Sequence, residues 1–177
     1  RQLIQPSGKP AYAFCLTHIQ LRHIGFDVEH GRAIQHVVTA EMQPAPVHAE
    51  QLDKTLSYID IGKSEGAELI AGGKRLSDGP LANGFFVAPT VFANVANDMR
   101  IAREEIFGPV ASVIPFSGEE EAVAIANDTT YGLTAGLWTR DVGRAHRVSA
   151  RIQAGIVWVN TYRYIRWSTP YGGFKSS

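Results

Sequence analysis

The chain has 177 residues, 45% of them hydrophobic, with 17 basic and 17 acidic side chains and a single cysteine. That is enough for one domain with a real core and short for two. The balanced charge gives no electrostatic case for nucleic acid or an anionic membrane, the lone cysteine excludes an internal disulfide framework and fits a reducing, cytoplasmic setting, and no apolar run is long enough to cross a bilayer. The chain opens on Arg1 without a secretory leader pattern and closes on Lys175-Ser176-Ser177, which reads as a fragment, a processed chain or one with trimmed ends.

Residues 1–45 form an unassigned segment. Arg1–Pro10 is polar and reads as irregular, Ala11–Ile24 is mixed, and Ala33–Met42 fits a short strand or helix with Ile34, Val37 and Val38 apolar. Gln43-Pro44-Ala45-Pro46 is a connector, because its prolines end regular structure. His18, His23, His30, His36 and His48 crowd this end, but none has the spacing of a metal site, so they read as scattered histidines.

Beyond the connector the elements sharpen. Leu52, Leu56 and Ile59 lie on one face of a helix that begins near Ala49, runs to about Ser64 and stops near Gly66. Gly62-Lys63-Ser64 lacks the upstream glycine of a phosphate loop, with Ser57 in its place. Ala67–Ala71 reads as a strand, Lys74–Asn83 as a polar loop, and Phe85–Phe92, broken by Pro89, as an edge or bent strand. Then comes Glu104-Glu105-Ile106-Phe107-Gly108-Pro109-Val110: two carboxylates, an aromatic, and a Gly-Pro pair that breaks any helix before the strand Val110–Phe116. Ser117 with Glu120 reads as a capping box for a helix Glu119–Asn127, and Thr134–Thr139 as the next strand. Asp141 is placed to cap a helix with Val142, Ala145, Val148 and Ile152 inward and Gly155 as its stop. Ile156–Asn160 is an apolar strand ending on a polar residue. Strands alternating with helices predict an α/β fold, layered, with a mainly parallel sheet flanked by helices.

Three stretches in this order, EEIFGPV (104–110), Val157-Trp158-Val159-Asn160 and Pro170-Tyr171-Gly172-Gly173-Phe174-Lys175, resemble the C-terminal half of the catalytic domain of the aldehyde dehydrogenase superfamily over residues 46–177. The family writes the last one P-F-G-G-x-K, so Tyr171 is a mild departure. The resemblance implies an enzyme that oxidises an aldehyde to a carboxylic acid with NAD or NADP, acting on a small-molecule aldehyde, with a homo-oligomer as a possible assembly. It implies that Glu105 accepts hydrogen bonds from the hydroxyls of the nicotinamide ribose, chemistry that suits a carboxylate facing a vicinal diol. Phe107 then lies against the nicotinamide. For Glu104, a surface acid or salt bridge is the preferred reading.

By the same resemblance, Asn160 leads into a substrate-facing loop, Thr161–Thr169. Tyr162, Arg163, Tyr164 and Ile165 belong to it, and Tyr171 lines the aldehyde tunnel. Aromatics suit an apolar aldehyde tail, and Arg163 or Arg166 an acidic one, although solvated arginines fit the residues as well. Trp158 reads as core. The family's chemistry needs a cysteine thiolate that attacks the aldehyde and a glutamate that activates water. Neither the E-L-G-G-K nor the G-Q-x-C type of stretch occurs here. Cys15 precedes Glu105 at a separation comparable to the family's, but within Ala13-Phe14-Cys15-Leu16-Thr17 it reads as a buried structural thiol, with a degenerate nucleophile as the other reading. The alternative to an enzyme is therefore a catalytically inactive, truncated remnant that serves as a structural or interaction domain. No metal site is expected.

Overall fold

A computed structural model describes residues 11–15, as backbone, together with 48–161 and 164–177. The expected element over Ala33–Met42, the 43–46 connector, Tyr162 and Arg163 lie outside the described residues, as does the side chain of Cys15. The described residues fall into two compact units, one holding 14–15 and 48–115, the other 11–13 with 116–161 and 164–177.

The first unit is built on helix α1 (Ala49–Ser64). His48 precedes it in extended conformation, and its Nδ1 accepts the amide of Gln51 at 3.4 Å. Glu50 in the first turn and Lys63 in the last complement the helix dipole. The helix closes through Glu65, and Gly66 follows at φ +90°, as the sequence predicts. Leu52 and Ile59 are buried, with Leu56 half-buried beside them.

Strands β1 (Ala11–Cys15), β2 (Glu68–Ala71), β5 (Thr90–Ala93) and β6 (Val110–Phe116) form one sheet in the order β1-β6-β5-β2. β5 runs parallel to β6 and antiparallel to β2, so this sheet is mixed. The expected polar loop contains β3 (Arg75–Leu76), which pairs antiparallel with β4 (Phe86–Val87), and a short 3-10 turn, Gly79–Leu81. The run Phe85–Phe92 is bent at Pro89 into β4, an edge of its two-stranded sheet, and β5. Pro89 falls in the link between β4 and β5, where no ladder donor is needed, and β5 lies inside its own sheet. Phe92 and Ile101 pack against α1 at Gly62, and Val91 and Val113 are buried on the sheet's other face. Among the described residues the buried hydroxyls are all engaged: Thr55 donates to the Gln51 carbonyl, Thr90 to that of Ala88 and Ser112 to that of Ile101.

In the second unit, α3 (Glu119–Asn127) is followed by β7 (Thr134–Leu137), α4 (Val142–Ser149) and β8 (Ile156–Val159), and β7 and β8 pair in parallel. The α/β class therefore holds in both units. Two local expectations change. Ser117 does not pair with Glu120: its amide and hydroxyl both donate to Glu121 at 2.7 Å, and Glu120 instead meets Arg151. Val142 is 72% exposed because it occupies α4's first turn, before the inward stripe of Ala145 and Val148 begins. Asp141 does cap α4, accepting from the Arg144 amide at 2.9 Å. Gly155 is not a helix stop, since α4 has already ended at Ser149. It is needed because the Gly172 carbonyl passes where its Cβ would be.

Candidate functional site

The loop 104–108 is held by the polar face of α1. Gln51, Lys54, Thr55 and Tyr58 recur at helical spacing and lie along one side of the helix. Lys54 Nζ donates to the Glu105 carbonyl at 3.0 Å. Gln51 Nε2 donates to the carbonyls of Ile106 at 2.8 Å and Phe107 at 3.1 Å. Three successive carbonyls are therefore bound by side chains of one helix. Gly108 follows because a Cβ there would sit 2.6 Å from Thr55 Oγ1 and 2.7 Å from its Cγ2. Ile106 points into the core with 2% exposure, whereas the flanking Phe107 is 47% exposed and Glu105 is half-buried.

Phe107 adopts φ +57°. A bulky L-residue there costs roughly 1–2 kcal/mol relative to its usual conformations. The carbonyl hydrogen bonds on either side of that torsion offset the strain. The Lys54 ammonium stands 6.0 Å from the Phe107 ring centroid and 5.8 Å from that of Tyr58, so a cation sits beside both rings.

Upstream, α2 (Arg100–Arg103) is one turn long and has no capping side chain of its own. Glu65, at the end of α1, accepts from the Arg100 amide at 3.0 Å and serves as that cap. Glu104 is bound by Arg100 in a fork, Nε to Oε1 at 2.8 Å and a terminal nitrogen to Oε2 at 2.9 Å, and by the Tyr58 hydroxyl at 2.6 Å. The expected salt bridge at Glu104 is present. The Arg100 hydrogen bonds, then that of Tyr58, lower the Glu104 carboxyl to about 2. The same hydrogen bond, with Glu104's charge and burial, raises the Tyr58 phenol.

The second candidate group lies in the other unit. Asn160 ends β8 at φ +55°, and its side chain is occupied: Nδ2 donates to the Thr139 carbonyl and Oδ1 accepts the Thr139 amide, both at 2.9 Å. It ties the end of β7 to the end of β8. Trp158 is core at 7% exposure, as expected, and its indole N–H also reaches the Tyr164 carbonyl at 2.9 Å, anchoring the loop that follows. Tyr164, Ile165 and Tyr171 are exposed at 62%, 49% and 54%. Arg166 stacks its guanidinium 5.6 Å from the Tyr164 ring. Lys175 of the GGFK stretch donates to the Asn127 carbonyl at 2.6 Å, so it fastens the chain's end to α3.

The profile of the aldehyde dehydrogenase family matches residues 33–177. The chain belongs to the aldehyde dehydrogenase family. It is 56% identical over 140 residues to acetaldehyde dehydrogenase 2 of Cupriavidus necator, a match covering 78% of this chain and 28% of that protein. Among solved structures it resembles P. syringae AldA, an indole-3-acetaldehyde dehydrogenase in complex with NAD+ and IAA, with 47% identity and a TM-score of 0.71 over 76% of this chain and 27% of that one. It also resembles the Mycobacterium tuberculosis aldehyde dehydrogenase complexed with NAD+, with 42% identity and a TM-score of 0.75 over 81% of this chain and 31% of that one. The chain thus spans less than a third of the length of each of these aldehyde dehydrogenases.

Within the family's EEIFGP stretch the sequence points to Glu105 and Phe107 but misses the residues that hold them. Gln51, Lys54, Thr55 and Tyr58 carry a readable signal: polar side chains at i, i+3, i+4 and i+7 beside an apolar stripe. What the sequence does not show is that this polar face meets a loop some fifty residues away.

Proposed function

We propose that this chain forms the nicotinamide-ribose contact and part of the substrate wall of an NAD(P)+-dependent aldehyde dehydrogenase that oxidises an aldehyde to a carboxylic acid in the cytoplasm. The observation that carries the reading is the loop 104–108: an exposed aromatic in a strained backbone, next to a half-buried carboxylate, with three consecutive carbonyls secured from behind. Strain held this firmly next to exposed recognition groups is characteristic of a ligand site. The residues fit a nicotinamide ribose, since a carboxylate can take both donors of a diol and an aromatic can cover an apolar ring face.

When bound, NAD(P)+ supplies the hydride acceptor. Glu105 accepts from the ribose hydroxyls, and Phe107 gives apolar contact without a group that competes for hydride. Tyr164, Ile165 and Tyr171 present apolar surface to the aldehyde tail. Asn160, whose amide is spent on Thr139, acts by fixing where that wall begins.

The 177 residues alone hold no family-type nucleophile or general base, so by themselves they do not turn over. A panel of aldehydes with NAD+ or NADP+, read by NAD(P)H formation, tests this. Turnover that vanishes in Cys15→Ala would reverse it and make Cys15 the nucleophile. The second reading, an inactive remnant used as an interaction domain, is favoured by one observation: Trp167 is 100% exposed and Phe174 56% exposed, close in sequence to the exposed Tyr164 and Tyr171. Light scattering tests self-association through that surface. A monodisperse monomer would remove this support.

A further inference from the structure

We infer that Tyr58, Arg100 and Glu104 are positioning residues for the coenzyme: by gripping the Glu104 carboxylate they fix the direction in which Glu105 and Phe107 are offered. The inference rests on the coenzyme reading of Glu105 given above.

Glu104 is where α2 gives way to the loop. Its amide still donates to the Arg100 carbonyl at 2.8 Å, while its own backbone has turned extended, φ −107° and ψ 147°. Its side chain folds back onto Arg100 through two hydrogen bonds and takes a third from Tyr58. The residue is therefore tied by main chain and side chain together. The next three carbonyls are taken by Lys54 and Gln51. From 104 to 107, every residue has at least one tether, and all but the Arg100 tethers run to α1.

An ordinary exposed ion pair would not do this. α2 is a single turn, too short to hold an i,i+4 pair in place by itself. Tyr58 comes from a different element and converts a local pair into a link between α2 and α1. Arg100 is in turn held by Glu65 at its amide, and its guanidinium lies 5.6 Å from the Tyr58 ring. The carboxylate is thus shared by a fixed phenol and a fixed guanidinium. The lowered Glu104 carboxyl and the raised Tyr58 phenol keep the grip intact across the working pH range. A loop secured before its ligand arrives loses less entropy on binding, which is how a residue that never touches the coenzyme tightens its affinity.

The test compares Tyr58→Phe, Glu104→Gln, Glu104→Ala and Glu105→Gln in the intact protein. NAD+ affinity is measured by calorimetry, and amide exchange over 100–110 is followed without coenzyme. Tyr58→Phe removes one hydrogen bond to a charged group and is expected to weaken NAD+ by about fivefold, and Glu104→Ala by about tenfold or more. Both should speed exchange of the loop. Glu104→Gln, which keeps one acceptor, should recover part of each loss. Glu105→Gln should weaken NAD+ and leave exchange unchanged. If Glu105→Gln weakens NAD+ while Tyr58→Phe and Glu104→Ala bind it like the parent, the positioning role fails and the coenzyme reading stands. If no variant weakens NAD+, both fail. In Tyr58→Phe and Glu104→Ala, weakened binding with unchanged exchange would also overturn the positioning role, since the effect would then be one of charge.

Discussion

Gly108→Ala tests the packing that presents the loop. Gly108 is not in a left-handed conformation, so alanine meets no torsional penalty there. What it meets is Thr55, which is fully buried, with Oγ1 at 2.6 Å and Cγ2 at 2.7 Å from the new methyl. Ordinary contact for such atoms is about 3.5–4.0 Å, so something must move by about 1 Å. Thr55 cannot swing away freely: its hydroxyl is committed to the Gln51 carbonyl at 2.7 Å and its neighbours are core. Overpacking of this kind costs about 1–3 kcal/mol. For a chain of this length that is roughly 2–4 °C of Tm per kcal/mol. Urea unfolding of Gly108→Ala, Thr55→Ala and the double variant measures it. The expected double-mutant cycle is strongly non-additive, with Thr55→Ala relieving most of the cost of Gly108→Ala. A Gly108→Ala protein within about 0.5 kcal/mol of the parent, or additive costs, would refute the close contact between α1 and the loop.

Three further outcomes are expected. Asn160→Ala loses both bonds to Thr139 and places alanine at φ +55°, so it should destabilise by about 1–3 kcal/mol, while Asn160→Gly, free of the torsional cost, should lose less; equal losses would show that the torsion is irrelevant. Phe107→Asn should be as stable as the parent or more stable by up to about 1 kcal/mol, because asparagine tolerates left-handed backbone, yet bind NAD+ less well; a protein less stable and unchanged in affinity would mean that Phe107 is structural. The third concerns pH. The Glu104 carboxyl is lowered from 4.5 to about 2, so its contribution is complete above 4.5 and is lost as pH falls toward 2. Its side chain is 41% exposed and screened by solvent, which holds that contribution to about 1 kcal/mol. The stability gap between the parent and Glu104→Gln, followed by urea unfolding, should narrow as pH drops from 7 to about 2.5; a gap that widens in acid would contradict the assigned pairing.

Periodicity and punctuation made much of this fold legible. Leu52 and Ile59 located α1, Gly66 its end, Asp141 the start of α4, and Gly108-Pro109 the entry to β6. Failures came where a local pattern had a tertiary partner. Ser117 had two glutamates within reach and took Glu121, while Arg151 drew Glu120 away. Gly155 looked like helix punctuation and instead makes room for the chain at Gly172. Pro89, by contrast, marks the bend between β4 and β5, where a missing donor costs neither sheet anything. At the site, the family pattern singled out Glu105 and Phe107 by their place in EEIFGP. The clamp of Gln51, Lys54 and Tyr58 depends on contacts between distant segments, which no local spacing encodes.

The most direct test is a structure of the intact protein solved with NAD+. The account predicts a Glu105 carboxylate oxygen within about 2.5–3.2 Å of the nicotinamide ribose hydroxyls, with the Phe107 ring against the nicotinamide. A ribose bound elsewhere, with Glu105 directed into solvent, would contradict it.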